Sequence, residues 1–213
     1  MKISKKVWIP ASVILLTGIS YMAFAAFSSY ETPEYVVEQK SGSFELRNYA
    51  PQLLAVVEVQ GDRSEASSKG FRLLADYIFG NNLSSESIEM TTPVTQQPKP
   101  QKIAMTTPVT QESKGTGTWE VTFKMPKEYT LDNIPRPQNK AVRLVEVPAS
   151  RYVAYRFSGY TGDQKVVKKQ KELQQWAADA GHKLTGEPLL ARYDPPWNPP
   201  FVRRNEILWR VQD

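Results

Sequence analysis

Two stretches of this chain follow one plan, and that repetition limits the folds open to it more than any other feature. Ala55-Val-Val-Glu-Val-Gln-Gly61 leads into a capped helix, and Val153-Ala-Tyr-Arg-Phe-Ser-Gly159 does the same later on. Each unit is strand, Gly, helix, then two strands. A lone amphipathic helix must lay its apolar stripe on another element, and the nearest one here is its own sheet. Two such units predict an α+β fold, a distorted antiparallel sheet of about eight strands with two main helices that curls toward a barrel.

Local patterns supply the elements. Tyr35–Gln39 and Ser43–Tyr49 flank Lys40-Ser41-Gly42 and read as a hairpin. Gln52–Gln60 is a third strand. Asp62-Arg-Ser-Glu65 has the spacing of a capping box, and Phe71, Leu74, Ala75 and Ile78 then form a helical stripe that stops at Gly80. Trp119–Met125, Ala141–Val147 and Arg151–Ser158 alternate as strands. Thr161 with Gln164 offers a second capping box, with Val166, Leu173, Ala177 and Ala180 as the buried stripe and Gly181 as the stop. Glu187–Tyr193 and Glu206–Val211 close the chain around Asp194-Pro-Pro-Trp197-Asn-Pro-Pro200, a rigid loop whose Trp197 and Phe201 are expected to lie against the body.

A closer duplication lies between the units. Ile88-Glu-Met-Thr-Thr-Pro-Val-Thr-Gln96 returns as Ile103-Ala-Met-Thr-Thr-Pro-Val-Thr-Gln111. Both copies alternate like half-buried strands, so Ile103, Met105, Thr107 and Val109 are expected on one face. As an antiparallel hairpin the copies would pair Met90 with Thr107 and Thr92 with Met105. Pro93 and Pro108 lack a donor and push the pair to a rim.

Lys2, Lys5 and Lys6 precede an apolar run from Val7 to Phe27, and Ala23-Phe24-Ala25 suits cleavage. Residues 1–28 therefore read as a signal peptide or an N-terminal hydrophobic helix that anchors the chain in a membrane, with one domain over 34–212 outside, periplasmic or otherwise extracytoplasmic. If uncleaved, residues 7–27 would hold it to the inner membrane. The net charge is +5, but without those three lysines 24 basic residues face 22 acidic ones, too even a balance for nucleic acid. Cysteine is absent, which removes disulfides and thiolate chemistry.

No nucleophile elbow, phosphate loop or dinucleotide fingerprint occurs, so an enzyme is not expected. His182 is the single histidine and follows a helix stop, the position of an exposed helix-end residue, and no metal site is expected. Met90 and Met105 fit core filler, the wall of an apolar pocket, or soft iron ligands. Tyr77 fits helix-end packing, or an axial oxygen for ferric haem.

Several segments carry a resemblance: Phe44-Glu-Leu-Arg-Asn-Tyr-Ala-Pro51, Phe71-Arg-Leu-Leu-Ala-Asp-Tyr-Ile-Phe-Gly-Asn81, Ile103-Ala-Met-Thr-Thr-Pro-Val109, Val153–Gly159, Ala191-Arg-Tyr-Asp-Pro-Pro-Trp197 and Arg203-Arg-Asn-Glu206. In order and nearly without gaps, residues 34 to 211 resemble the SOUL haem-binding protein family. The resemblance implies a distorted eight-stranded barrel with two helices, similar to gyrase-inhibitor-like effector-binding domains. It also implies low-affinity, reversible binding of haem or another tetrapyrrole in an apolar groove beside the first helix, for transport, buffering or sensing. Some members use an axial histidine in the N-terminal part, and this chain has none there. Phe71, Ile78, Met90 and Met105 are the expected walls, with Lys69 and Arg72 as cations for the propionates. A protein-partner or effector-binding module without haem is the alternative, and a small-molecule hydrolase on the same scaffold a further one.

Overall fold

The computed structural model describes residues 31–83 and 101–212. The N-terminal apolar run and the first copy of the repeat, with Met90, lie outside the described residues. The elements are β1 (Tyr35–Ser41), β2 (Phe44–Tyr49), β3 (Gln52–Gln60), α1 (Arg63–Ile78), β4 (Asn82–Leu83), β5 (Val109–Ser113), β6 (Thr118–Lys124), β7 (Arg136–Pro137), β8 (Arg143–Val147), β9 (Ser150–Phe157), α2 (Asp163–Asp179), β10 (Leu184–Arg192) and β11 (Asn205–Val211). A short 3-10 turn covers Pro200–Val202.

The strand order is β1-β2-β9-β11-β10-β5-β6-β3-β8, with β4 and β7 as a separate pair. The predicted duplication is visible in that order. Within this nine-stranded sheet, the strand before each helix (β3 or β9) flanks the second strand after it (β6 or β11), and the first main-sheet strand after the helix (β5 or β10) lies at the centre. The halves join where Leu190, Ala191 and Arg192 pair with Gln111, Thr110 and Val109.

The expected eight-stranded barrel is corrected to an open nine-stranded antiparallel sheet. Among the described residues β1 bonds only to β2 and β8 only to β3, so both stand as edges of this sheet. Each half covers its apolar face with its own helix, and closure is not needed to hide it. A register shift between Val37 and Gln39 interrupts the β1 edge, and Arg143 and Glu146 place charge on the other.

Two cores follow. α1 packs Leu74, Tyr77 and Ile78 on Ala55, Val57, Val121 and Phe123, and α2 packs Val166, Leu173 and Ala177 on Leu46, Val153, Leu190 and Ile207. Of the predicted stripe of α1, Leu74, Ala75 and Ile78 are buried as expected and Phe71 is not. Gly70 faces the sheet and Phe71 is 39% exposed, resting edge-on against Phe123 with ring centroids 5.4 Å apart. A Cβ on Gly70 would sit 2.6 Å from the Val121 side chain, so the absent side chain is what lets the helix approach.

Capping divides the two helices. The Asp62 carboxylate accepts from the Glu65 N–H at 2.8 Å, as the spacing predicted. At α2 the cap is Gly162 with no side-chain bond, so the box expected at Thr161 does not form. The second copy of the repeat is also only half a strand. Residues 103–108 lie outside any strand, with Thr107–Pro108 cis, and β5 starts at Val109. Thr106 instead donates its hydroxyl to the Lys124 carbonyl, and the Ile103 N–H bonds to the Ile78 carbonyl at 2.8 Å. Irregular backbone is where Pro108 can be held, because it has no N–H for a ladder.

The helix-free face of the sheet carries a smaller apolar cluster, Ala154, Ala191, Tyr193 and Leu208, and beside it a buried ionic network. Arg47 donates to both oxygens of Glu206, at 2.7 and 3.1 Å, and Tyr193 and Arg204 donate to the same carboxylate. The Arg47 guanidinium also lies 4.3 Å from the centre of the Tyr35 ring.

Candidate functional site

The helix-bearing face has a cleft of about 360 Å³ where the two halves meet, within the range of small-molecule sites. Its apolar lining comes from Trp119 of β6, Val166 and Val167 of α2, and Pro188 and Leu190 of β10, with Gln111 of β5 on the floor. Trp119 is held in place by its indole N–H, which donates to the Gly61 carbonyl at 3.1 Å. Arg63 and Asp163 line the cleft from the first turns of α1 and α2. The duplication thus brings two helix N-termini together. Arg63 joins them by donating to the Asp163 carboxylate and to the Thr161 carbonyl, each at 2.5 Å.

A second guanidinium, that of Arg192, stands behind Gln111 and outside the cleft lining. Arg192 donates to the Ser67 hydroxyl at 2.5 Å and to the Gln111 side-chain oxygen at 3.4 Å. Gln111 in turn donates to the Arg63 carbonyl at 2.7 Å. Burial, and then the nearby Arg63 charge, pull the Arg192 pKa down to about 10. Arg63 Nη1 and Arg192 Nε are buried without a hydrogen-bond partner.

None of the expected residues that are described lines this cleft, and Met90 lies outside the described residues. Phe71 and Met105 flank α1 on the far side of its core, Met105 partly buried against the cluster that holds Phe123. Lys69 pairs with Glu65 at 2.7 Å on the exposed helix surface, and Arg72 is exposed beside it. Ile78 is 0% exposed inside the core, so it supports the helix and presents nothing to a ligand on the surface. Tyr77 is likewise buried, and its hydroxyl donates to the Pro135 carbonyl at 2.7 Å. His182 lies past the end of α2, its ring 6.0 Å from that of Trp176 and its Nε2 3.3 Å from the Gln39 side-chain oxygen. Among the described residues no three His, Asp or Glu side chains are grouped to hold a metal ion.

The C-terminal loop differs from expectation. Trp197 is 69% and Phe201 77% exposed, beside Tyr160, whose ring Arg203 covers at 5.5 Å. The stop of this loop is its own proline-rich backbone: Arg203 donates to the Asn198 and Pro196 carbonyls, and Gly159 donates to Pro200. The aromatic rings are therefore not needed as a core.

Sequence alone did not single out Arg63, Gln111, Trp119 or Pro188. Each is an ordinary position on its own element, and they become a site only when the halves meet. The one signal was the duplication, which implies that equivalent helix ends converge.

A family model described as SOUL heme-binding protein matches residues 30–210. Heme-binding protein 1 of Xenopus laevis is 25% identical over 177 residues, covering 83% of this chain and 87% of that protein. Its counterpart in Xenopus tropicalis is 24% identical over the same length. The C-terminal domain of EcmrR superposes with a TM-score of 0.56 at 15% identity, over 80% of this chain and 97% of that one. An uncharacterized conserved protein from Listeria innocua gives 0.51 at 13%, over 91% and 98%. These two likenesses concern the fold alone. With the family match spanning nearly all of the described sheet and both helices, the chain belongs to the SOUL heme-binding protein family.

Proposed function

We propose that this protein binds haem or a related tetrapyrrole reversibly and without covalent attachment, in the cleft between α1 and α2, and that it carries, buffers or senses the ligand. The observation that carries this reading is the pairing of an apolar lining, Trp119, Val166, Val167 and Leu190, with the Arg63 guanidinium in one open cleft. A tetrapyrrole is flat and apolar with two carboxylates, so its ring suits the lining and a propionate suits the arginine. Among the described residues no histidine, methionine or tyrosine lines the cleft, so these residues fit the macrocycle and one of its acids and include none of those iron ligands. Haem iron, when bound, would bring its own redox and ligand chemistry. The chain's part is to shelter one edge of the ring and hold a propionate.

Titration of haemin into the chain from residue 29 onward, followed at the Soret band, is expected to give a saturable shift at micromolar protein. Trp119→Ala should weaken it about tenfold or more, since stacked aromatic area dominates such sites. Phe71→Ala and Met105→Leu should leave it unchanged. Loss on the Phe71 change with none on the Trp119 change would move the site to the outer flank of α1, around Lys69, Arg72 and Met105.

The supporting reading of the chemistry is non-catalytic. Among the groups near the cleft, Asp163 and Glu187 are exposed carboxylates. Glu112, whose pKa burial pushes up, does not line it. A second reading, a protein-partner module, is favoured by the exposed Trp197, Phe201 and Tyr160. It predicts a pull-down that survives excess haemin and is lost in Trp197→Ala/Phe201→Ala. Among the described residues no helix is long and apolar enough to cross a membrane, and we place the domain outside the cytoplasm on the strength of the Lys-flanked run at 7–27. Fractionation with and without residues 1–28 tests that placement.

A further inference from the structure

We infer that the proline-rich loop at one end of the sheet, bearing Trp197, Phe201 and Val202 with Tyr160 beside it, is a membrane-docking surface that rests in the headgroup region of a bilayer carrying anionic lipid. The inference is independent of what the cleft binds.

The four apolar side chains are each more than half exposed. They belong to one place, because the Gly159 N–H donates to the Pro200 carbonyl at 2.8 Å and so sets Tyr160 and Phe201 each one residue from a shared bond. The loop is held without them. Arg203 donates to the Asn198 and Pro196 carbonyls, the Asp194 carboxylate accepts from the Asn198 amide and the Arg204 N–H, and the Val202 N–H bonds back to the Pro199 carbonyl. Large apolar groups kept outside a frame that does not use them mark a contact with something beyond the chain.

Charge decides what that something is. Arg203 and Lys165 bond to backbone carbonyls and lie 5.5 and 5.6 Å from the centres of the Tyr160 and Phe157 rings. The carboxylates nearby are already occupied: Asp194 within the loop, Glu206 by Arg47 and Arg204, and Asp163 by Arg63. The surface is therefore aromatic and positive. That pairing suits a membrane–water interface, where the rings sit at headgroup depth and the cations meet anionic lipid. A bilayer also takes such rings without the matching shape that a protein partner would have to supply.

Strand register brings the start of the domain to the same end of the sheet. β5 begins at Val109 opposite Arg192, so Thr107 and Asp194 both lie just past that pair, and the Thr107 N–H donates to the Glu31 carbonyl at 3.0 Å. Four residues lead from Phe27, the end of the apolar run, to Glu31, a reach of at most about 14 Å. When residues 7–27 stay in a bilayer, the end of the sheet that carries the loop is the end tied to it. A tether of that length makes the second contact local, so a modest affinity is enough.

The residues of both core clusters lie between Phe44 and Val211, so the chain from residue 29 onward keeps its cores and isolates the loop from the apolar run. Its binding to phosphatidylcholine vesicles with and without phosphatidylglycerol is measured by flotation, and contact with the acyl chains by quenching of Trp197 with brominated phosphatidylcholine. Binding is expected to be tighter on the vesicles with phosphatidylglycerol. Trp197→Ser/Phe201→Ser should weaken it about tenfold or more with Tm unchanged, since two rings lose their burial. Lys165→Gln should weaken it about fivefold on the anionic vesicles alone, and Trp197→Phe should keep binding while losing most of the quenching. No binding to either vesicle, binding that survives the double change, or binding without quenching of Trp197 overturns the inference. A protein captured through Trp197 and Phe201 by a chain that ignores vesicles also overturns it and gives the surface to that partner. Haemin titration reads the cleft alone, so its failure leaves the membrane surface standing.

Discussion

Glu206 shows what one residue can decide in this protein. It is completely buried, where desolvation alone would raise its pKa, but bonds from Arg47, Arg204 and Tyr193 outweigh that and hold it below the ordinary carboxylate range. A carboxyl with a lowered folded pKa contributes stability that is present above its unfolded value of 4.5 and is lost as pH falls toward the folded one. The urea midpoint should therefore drop on acidification below about pH 4.5. In Glu206→Gln that part of the slope should disappear, with stability at neutral pH about 1–3 kcal/mol lower, because Arg47 keeps Glu45 but loses the charge of its fully buried partner. An unchanged slope in Glu206→Gln would show that other carboxyls govern acid unfolding. The motifs Phe44–Pro51 and Arg203–Glu206, which carry the resemblance to the family, turn out to hold this network and not the cleft. Their partnership could not be read beforehand, since Arg47 and Glu206 are 159 residues apart.

At the scale of the element, α1 was legible in its limits and in most of its buried stripe, and misread at Phe71. The Asp62 cap and the stop near Gly80 depend on neighbours three or four residues away, and both stand. The buried stripe depends on what the sheet presents. Val121 reaches so close that only Gly70 fits opposite it, and Phe71 beside it lies at the surface. Gly70→Ala should cost about 1–3 kcal/mol by crowding, although alanine is the better helix former. Combined with Val121→Ala, which makes room, the penalty should shrink, and a double-mutant cycle in urea measures the coupling. Additive losses would mean that the helix simply slides. The Ile103–Gln111 copy carried a similar error: alternation suggested one strand, yet Pro108 has no donor and Thr106 finds the Lys124 carbonyl, so pairing waits until Val109.

For the whole molecule, two cores share one sheet, and the seam between them is the β5–β10 pair. Arg63 to Asp163 and Arg192 to Ser67 also cross it. The halves should then unfold together. Leu74→Ala in the first core and Leu173→Ala in the second, both side chains fully buried, should each cost about 2–5 kcal/mol. Each should lower a single transition seen alike by circular dichroism and tryptophan fluorescence. Two separated transitions would show that the seam couples the halves weakly.

Short-range chemistry was enough to read the duplicated units, the strand alternation, the Asp62 cap and the presence of two covering helices, because each of these depends on residues within a few positions of one another. The open sheet, its ninth strand, the exposure of Phe71 and the cleft were settled only when the halves packed. The two arginines illustrate the difference. Arg63 looked like a filler inside a capping box and Arg192 like one position in a strand, yet Arg63 reaches Asp163, 100 residues away, and Arg192 is held by Ser67 and Gln111, 125 and 81 residues away. Pairing of buried charge is a property of the assembled interior, where water is excluded, and no local pattern carries it.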